Sequence, residues 1–418
     1  MLSALFAEAY QPPTGGDARE HYPFPQLLDE HWVAAHVERP EFCWIVAEVG
    51  GKVVGTVGAV RNVGTDRDRV TEGFGLVVGE RARGKGIGTE LMKRLYEEVA
   101  SQAHYFIAET RTAEAGGWKC VQRSGFIPTG FEPFAHLTPA GKEAMLLTAR
   151  VSPEALRRRS PSARITRLVR PLAEAVLRVA FQQTSPLSNG SQTREGFRTS
   201  LPSNADESAQ SHGIETVPAA NCEVTRDDDA SQHYLETWDP ARPHAAGVVC
   251  LRRMEGCLGN SDRYDRRCFV VRIAGQVASA ARVVWDRRDC RARILDLKSQ
   301  QEGLQGMLIA SIVEELTREA SGSHLTIVLD VHTGNPRLMA TMEALGFFPT
   351  AYYPALVAIG SERYDAVQYT RLCHRGEFLD SVDKVCSIEW AAAKNVIQCI
   401  NGIVTSSDPH AAQSCGEH

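Results

Sequence analysis

The residues whose types and spacing point to chemistry lie in one short segment, residues 76–91. An apolar, strand-like run is followed by glycines at every second position, Gly84, Gly86 and Gly88, and then by a helical pattern. A glycine-rich turn before a helix aims backbone N–H groups at one point, with the positive end of the helix dipole behind them. Glycine also lets the main chain approach a phosphate that a Cβ atom would keep away. The segment therefore predicts a phosphate-binding loop.

Three basic side chains, Arg81, Arg83 and Lys85, add positive charge to this loop. The pattern is not that of a P-loop, which needs Gly-Lys-Ser/Thr after a four-residue gap. It also differs from a dinucleotide fingerprint, which needs an acidic residue on a following strand. An ordinary helix start is the alternative interpretation. The strand, the spaced glycines and the basic residues together favour phosphate binding.

Residues 81–86, Arg-Ala-Arg-Gly-Lys-Gly, resemble motif A of the GNAT superfamily of N-acetyltransferases, whose pattern is Gln/Arg-x-x-Gly-x-Gly/Ala. Residues 123–127 resemble the short Gly-Phe element of this family, and the resemblance covers about residues 1–150. It implies that acetyl-CoA enters a splay in a mixed sheet, with its pyrophosphate on the loop and its pantetheine along a strand edge. The residues implied to hold it are Leu76, Val77, Val78, Arg81, Arg83, Gly84, Lys85, Gly86, Ile87, Gly88 and Thr89.

The resemblance also implies that an amine attacks the thioester directly, so that a base must remove a proton from the amine. The candidates are Glu72, upstream on the strand before the loop, and Glu109, at the end of the next strand. A solvated carboxylate is the alternative interpretation of each, and a water chain is a third route for the proton. The Tyr that the family often uses to protonate the thiolate is replaced here by Val121. We interpret the adjacent Cys120 as a small core residue.

Alternating strand and helix patterns around the loop indicate the elements that position it. Two apolar runs joined at Gly50-Gly51 predict a hairpin, and residues 89–100 have helical spacing. Residues 2–10 and 27–37 also read as helices. The first strand that is usual in the family would precede them, and the sequence begins too late to supply it. We therefore expect a truncated start or a domain that lacks this strand.

A second segment, residues 223–372, repeats the same order of elements and has its own Leu-Gly-Phe-Phe at 345–348. Its counterpart of the loop, residues 297–306, lacks the Arg-x-x-Gly-x-Gly arrangement and carries an acidic residue where the phosphate would lie. We expect a degenerate domain that binds acyl-CoA weakly or not at all. It would shape the substrate cleft, mediate pairing or sense a ligand. Asp330 and His332 lie at a strand end. We interpret them as structural residues whose polar atoms are hydrogen-bonded, rather than as polar site residues.

The predicted fold class is α/β, with an α+β mixed sheet. We expect two tandem GNAT-like domains, each a splayed, mostly antiparallel sheet flanked by helices. The division is 1–151 acyltransferase domain, 152–181 connecting helix, 182–222 flexible linker, 223–372 degenerate GNAT-like domain and 373–418 C-terminal tail. The connecting helix reads as amphipathic rather than as a basic surface for an acidic partner. The linker is too polar to fold alone, and the tail reads as a loose appendage with one apolar patch at 390–403.

Composition excludes several classes of function. A net charge of −5 and a pI of about 6.2 argue against nucleic acid as a partner, and no apolar run is long enough for a membrane partner. The eleven cysteines include no C-x-x-C pair and no zinc spacing, so we expect reduced thiols and no metal. The start lacks the pattern of a signal peptide, and with the reduced thiols this predicts a cytoplasmic protein.

We therefore predict an N-acyltransferase whose first domain moves an acetyl group from acetyl-CoA to a primary amine. The acceptor is a small molecule or a peptide amine, and a homo-oligomer remains open. One alternative is a non-catalytic acyl-CoA sensor or scaffold, which the missing Tyr favours. Another is transfer of a different acyl group.

Overall fold

The computed structural model of the chain describes residues 2–10, 24–112, 115–138, 141–184, 202–204, 222–237, 263–320, 325–373 and 388–407. We call the described part of residues 2–151 the first half and that of residues 222–373 the second half. No described helix combines the length and apolar character needed to cross a bilayer.

The elements of the first half surround the loop. Its helices are α1 (Leu2–Tyr10), α2 (Glu30–Val37), α3 (Ile87–Val99) and α4 (Ala115–Arg123), and its strands are β1 (Phe42–Val49), β2 (Lys52–Val60), β3 (Val70–Val78), β4 (Tyr105–Arg111), β5 (Ile127–Thr138) and β6 (Gly141–Val151). The amphipathic pattern of α3 buries Leu91, Met92 and Leu95 against the sheet. Its charged residues lie at the surface. The N-terminus of α3 directly follows the loop.

The second half begins with a strand, β9, and from its first helix onward has the same succession of elements as the first half from α2 onward. Its elements are β9 (Cys222–Arg226), α7 (Asp228–Glu236), β10 (Tyr264–Ile273), β11 (Gln276–Asp286), β12 (Arg291–Ser299), α8 (Glu302–Glu319), β13 (Thr326–His332), α9 (Pro336–Ala344), β14 (Phe348–Ile359) and β15 (Glu362–Leu372). Between the halves lie α5 (Pro153–Arg157), β7 (Arg164–Ile165), α6 (Arg170–Thr184) and β8 (Ser203–Asn204), and α10 (Ala391–Ser407) follows the second half.

One sheet of thirteen strands runs through both halves in the order β1-β2-β3-β4-β6-β5-β14-β15-β13-β12-β11-β10-β9. Most neighbouring strands are antiparallel, and helices flank the sheet, which confirms the predicted mixed α/β sheet. The two sheets that we expected to be separate are joined edge to edge through β5 and β14. Strand β9 has no counterpart among the described residues of the first half.

A constant sequence offset relates the halves. Val70 pairs with Tyr105 and Arg291 pairs with Thr326, so both strands are displaced by 221 residues (291 − 70 and 326 − 105). At the junction, Gly130 of β5 pairs with Ala351 of β14, and this pair has the same offset (351 − 130). Equivalent residues that face each other on antiparallel strands define a local two-fold relation. The halves are therefore related by a pseudo-two-fold axis between β5 and β14.

Contacts on either side of this axis are reciprocal. The Asp289 carboxylate accepts a hydrogen bond from the backbone N–H of Leu137 at 2.9 Å, and Asp68 accepts one from Ala358 at 2.6 Å. Both pairs have the 221-residue offset. An aspartate of each half therefore binds the equivalent strand of the other half: Asp289 binds β5, and Asp68 binds β14.

The sheet splays in both halves. Strands β3 and β4 pair in parallel only over residues 70–73 and 105–108, and β12 and β13 pair only over 291–293 and 326–328. Beyond the paired stretch, β3 turns away at Gly75, whose φ is +63°. The edge of residues 74–78 is thereby unpaired on the β4 side, as an incoming ligand would require.

The segments outside the two halves differ from expectation. Residues 152–181 form two helices, α5 and α6, rather than one, because Pro161 interrupts the helical path between them. The tail, expected to be loose, contributes α10, whose Val396, Ile397 and Ile400 are buried against α6, β5 and β14. Apolar residues at helical spacing account for this packing. The linker expected at 182–222 lies mostly outside the described residues.

Candidate active site

The glycine loop links β3 to α3 through residues 79–86. Gly84 and Gly86 have φ values of +76° and +80°, and Gly86 caps α3 without a side-chain hydrogen bond. A Cβ atom at either glycine would meet nothing within 4 Å. The open space lies over the first amides of α3, where an anion can accept their hydrogen bonds.

Gly88 has a different role in the same loop. A Cβ atom there would lie 3.0 Å from Cys120 Sγ, so this glycine lets α4 approach α3. The Thr89 hydroxyl lies 3.8 Å from the same sulfur. Burial raises the pKa of the Cys120 thiol, which keeps it protonated. The contact with Gly88 fits the packing role that we predicted for Cys120, but the residue is half-buried and also lines the cavity beside the loop.

A cavity lies beside the loop, and we call it the loop cavity. Nine of the eleven residues predicted to hold the cofactor line it, namely Leu76, Val77, Val78, Arg83, Gly84, Gly86, Ile87, Gly88 and Thr89. Arg81 and Lys85 are exposed and lie outside its lining. Two cations that we did not predict, Lys119 and Arg123, line it from α4. Their spacing of four residues on a helix was the available signal.

A second cavity, which we call the charged cavity, begins where the loop cavity ends. Three residues line both cavities, namely Tyr10, Leu76 and Gly117. The charged cavity contains both predicted base candidates, Glu72 on β3 and Glu109 on β4. Glu72 is buried and Glu109 is half-buried. The splay thus brings the two carboxylates to the inner end of the loop cavity.

Much of the charged cavity is built by the second half, which was one of the roles expected for it, although the residues that it contributes were not predicted. Its charged and histidine lining residues are Glu72, Glu109, Arg111 and His136 from the first half and Arg263, Asp286, Asp289, Arg291 and Arg293 from the second. The contributing elements are far apart in sequence, and only the docking of the halves brings them together.

A buried hydrogen-bond network holds part of the lining of the charged cavity in place. His136 Nδ1 lies 2.9 Å from Asp289 Oδ2, and Arg263 donates to both Asp286 and Asp289. Burial acts to raise the pKa of Asp289, but the hydrogen bond and charge of His136 and the charge of Arg263 outweigh it and lower this pKa to about 2. Burial and the neighbouring Asp289 charge raise the pKa of Asp286. Asp289 is therefore ionised at neutral pH and orients the imidazole.

A second ionic cluster crosses the junction. The fully buried Glu132 of β5 accepts hydrogen bonds from Arg291 and from Arg293, the latter at 2.9 Å. Arg293 also lies 3.5 Å from Asp330. His332 Nδ1 accepts the backbone N–H of Gly334 at 3.1 Å. These contacts agree with the structural roles favoured for Asp330 and His332, neither of which is among the described residues that line the two cavities.

The second half differs from the first at the matching places. Only residues 300–301 separate β12 from α8. By the 221-residue offset the loop corresponds to residues 300–307, and in this half residues 302–307 are helical instead. The position equivalent to Glu72 by the 221-residue offset is Arg293. This half therefore has a guanidinium where the first half has a carboxylate, which is consistent with the predicted degeneracy.

Comparison with known proteins supports the resemblance. Residues 3–126 match the model of the acetyltransferase (GNAT) family, which confirms for the first half the family predicted from the loop. No curated protein sequence matches the chain.

Several solved structures are similar to part of the chain. The ribosomal-protein-S18-alanine N-acetyltransferase from Escherichia coli shares 17% identity at a TM-score of 0.29, covering 37% of this chain and 96% of that one. The ribosomal-protein-alanine N-acetyltransferase from Brucella melitensis shares 23% at 0.30, covering 36% and 92%. The aminoglycoside 6'-acetyltransferase type Ii shares 20% at 0.27, covering 36% and 86%.

Proposed function

We propose, from the premise that residues 3–126 are a GNAT-family acetyltransferase domain, that the first half transfers an acetyl group from acetyl-CoA to a primary amine. One observation carries this proposal: the loop cavity and the charged cavity meet at Tyr10, Leu76 and Gly117. A thioester held from the loop would end at this meeting point, beside two carboxylates able to accept a proton.

Acetyl-CoA would bind with its pyrophosphate on the amides around Gly84, Gly86 and Gly88. The charges of Arg83, Lys119 and Arg123 would support it, since all three line the loop cavity. The unpaired edge of residues 76–78 offers backbone groups to the amides of the pantetheine arm. The cofactor supplies the activated acyl group, and the chain supplies position and charge.

In the proposed reaction, the amine nitrogen attacks the carbonyl carbon of the thioester. The C–N bond forms and the C–S bond breaks as the tetrahedral intermediate collapses. Glu72 or Glu109 accepts the proton lost by the amine, and the departing thiolate takes a proton from an acid. Because the family's usual acid is replaced by Val121, we assign this role to Tyr10, which lines both cavities.

The test is acetyl-CoA turnover by the full chain with a panel of small amines, measured as release of free thiol. Amine-dependent release supports an enzyme. Binding of acetyl-CoA without release for any amine would favour the alternative, a non-catalytic sensor or scaffold. Parallel assays with malonyl-CoA and succinyl-CoA test the other alternative, transfer of a different acyl group.

The two base candidates are distinguished by Glu72→Gln and Glu109→Gln. Loss of a general base typically lowers the rate by about 10²- to 10⁴-fold. We expect one substitution to lower kcat in this range and to remove the acidic limb of the pH–rate profile, while the other leaves the profile in place. If neither changes the profile, the proton leaves through water.

We further propose that the protein acts in the cytoplasm on a small-molecule acceptor, with neither nucleic acid nor membrane as a partner. The charged cavity contains both acidic and basic groups, which suits a small polar acceptor better than the uniformly negative backbone of a nucleic acid.

A further inference from the structure

We propose that the second half binds the acceptor, and that this acceptor is a small amine that also carries a carboxylate group. The inference rests on the proposed function, because it names the substrate class of the same site. Its starting point is the charged cavity, which has walls from both halves.

The two walls bring different charged groups to the cavity. The base candidates Glu72 and Glu109 belong to the first half, whereas three of the four guanidinium groups, those of Arg263, Arg291 and Arg293, belong to the second. An amine that is protonated in solution is attracted to the carboxylates beside the thioester. A carboxylate on the same molecule would find guanidinium groups on the facing wall.

The pseudo-two-fold relation explains this opposition. Glu72 and Arg293 occupy equivalent positions on β3 and β12, and both line the same cavity. A pair of symmetric halves would present two equivalent carboxylates to each other there. The change to arginine in the second half replaces like charges with opposite ones at this equivalent pair. The carboxylates of Asp286 and Asp289 on the same wall are hydrogen-bonded to Arg263 and His136.

The guanidinium groups are held in place. The side chain of Arg293 is 3% exposed and that of Arg291 is 13% exposed, and both are hydrogen-bonded to the buried Glu132. A side chain that is already ordered loses little entropy when it binds a ligand. Arginine in a fixed orientation suits the planar, two-oxygen geometry of a carboxylate.

The size of the cavity points to the same class of acceptor. Its volume is about 190 Å³, which is below the roughly 300–1,000 Å³ typical of pockets for drug-sized ligands. This volume matches an acceptor group of amino-acid size.

The experiment compares amino acids with their C-terminal amides, which keep the amine and lack the carboxylate. With the full chain and saturating acetyl-CoA, we expect KM to be at least about tenfold lower for the best acid than for its amide. Arg291→Gln should raise KM for the acid by about tenfold or more, as expected when a hydrogen bond to a charged group is lost. KM for the amide and for acetyl-CoA should hardly change. Arg291→Lys keeps the positive charge but loses the planar guanidinium that can donate two parallel hydrogen bonds. It should give an intermediate KM for the acid.

The matched control is Arg287→Gln, because Arg287 is an exposed arginine of the same half and lies outside the described lining of the cavity. Arg287→Gln should leave KM for the acid, for the amide and for acetyl-CoA near the wild-type values. A cooperative melting transition and an unchanged KM for acetyl-CoA establish that Arg291→Gln is folded, although the loss of the ion pair with Glu132 lowers its melting temperature. If that variant fails to fold, Arg263→Gln takes its place.

Equilibrium binding of the amino acids in the presence of CoA separates this inference from the proposed function. Binding that needs both the carboxylate and Arg291, without any turnover, supports the inference and overturns the proposed function. Turnover that is equal for acids and amides, or an Arg291→Gln effect that is equal for both, overturns the inference and leaves the proposed function intact.

Discussion

At the scale of single residues, Tyr10 links the two cavities. Replacing it with Phe keeps the ring, and so the shape of the wall, while removing the hydroxyl that would protonate the thiolate. We expect Tyr10→Phe to lower kcat by about 10²-fold or more, as for loss of a general acid. KM for acetyl-CoA should stay the same, because the loop is untouched and the aromatic ring still lines the loop cavity. Steady-state kinetics with the best amine measure both constants.

Tyr96→Phe is the control for this substitution. The Tyr96 ring stacks on Phe106 with centroids 6.2 Å apart, and the Arg150 guanidinium lies 3.5 Å from its centroid. Tyr96 is outside the described lining of both cavities, so its loss of a hydroxyl should leave kcat unchanged. Wild-type turnover in Tyr10→Phe would instead show that water protonates the thiolate.

His104, just before β4, should make stability depend on pH. Burial, followed by the charges of Arg363, Arg69 and Arg158, lowers its pKa to about 4, against about 6.5 in an unfolded chain. Between these values the unfolded chain binds a proton at His104 that the folded chain does not. The free energy of unfolding therefore falls as pH decreases through this window.

The measurement is the melting temperature between about pH 7 and pH 4, for the wild type and for His104→Gln. Glutamine can still hydrogen-bond to Ser152, the side-chain partner of His104 Nδ1 at 3.3 Å, but it does not titrate. We expect a shallower decrease for the variant over this range. Parallel curves would show that the folded protein tolerates a proton at this histidine, contrary to the lowered pKa.

At the scale of elements, the loop between β3 and α3 should bind the cofactor through its main chain. Gly86→Ala places a Cβ atom in the open space over the loop, where the phosphate would lie. We expect the affinity for CoA to fall by about tenfold or more as hydrogen bonds to a charged group are lost. Titration calorimetry with CoA measures this change directly.

Gly51→Ala is a matched control in the β1–β2 hairpin. Gly51 also has a positive φ, +76°, and a Cβ atom there also meets nothing within 4 Å. Both substitutions should therefore destabilise the fold by about 1–2 kcal/mol, the usual cost of this conformation for a side chain. Only Gly86→Ala should weaken CoA binding, and equal affinities would contradict the assignment of the loop.

The loop was predictable from sequence because its signals are local. Glycines, basic residues and helical spacing lie within about one strand and one helix, so residues such as Gly84 and Gly86 could be interpreted without the rest of the fold. Arg81 and Lys85 show the limit of this reasoning. Sequence spacing gives a basic residue in the loop, but the turn geometry decides which side chains line the cavity.

At the scale of the whole molecule, local sequence patterns do not predict the contacts between the two halves, and the reason is physical. The contact of Asp289 with His136 joins residues 153 positions apart, and its existence depends on how two complete sheets dock. The repeated order of strands could be predicted from the sequence, whereas the edge-to-edge joining of the two sheets could not. For the same reason the walls of the charged cavity, with Arg291 and Arg293, could not be predicted.

The edge-to-edge junction gives the last prediction. Gly130 of β5 faces Ala351 of β14, and a Cβ atom added to Gly130 would overlap Thr350 O and Ala351 Cα. These atoms belong to the backbone, so they cannot move aside as a flexible side chain can. We expect Gly130→Ala to lower the free energy of unfolding by about 3 kcal/mol, as in severe overpacking.

The control is Gly402→Ala in α10, where a Cβ atom meets nothing within 4 Å. Alanine favours a helix over glycine by about 1 kcal/mol, so this variant should be as stable as the wild type or more so. Because the junction also aligns the two walls of the charged cavity, Gly130→Ala should raise KM for the amine more than KM for acetyl-CoA, whose loop lies within the first half. Equal changes in both constants would mean that the junction stabilises the fold without shaping the acceptor site, and chemical denaturation together with kinetics on the same samples decides between these outcomes.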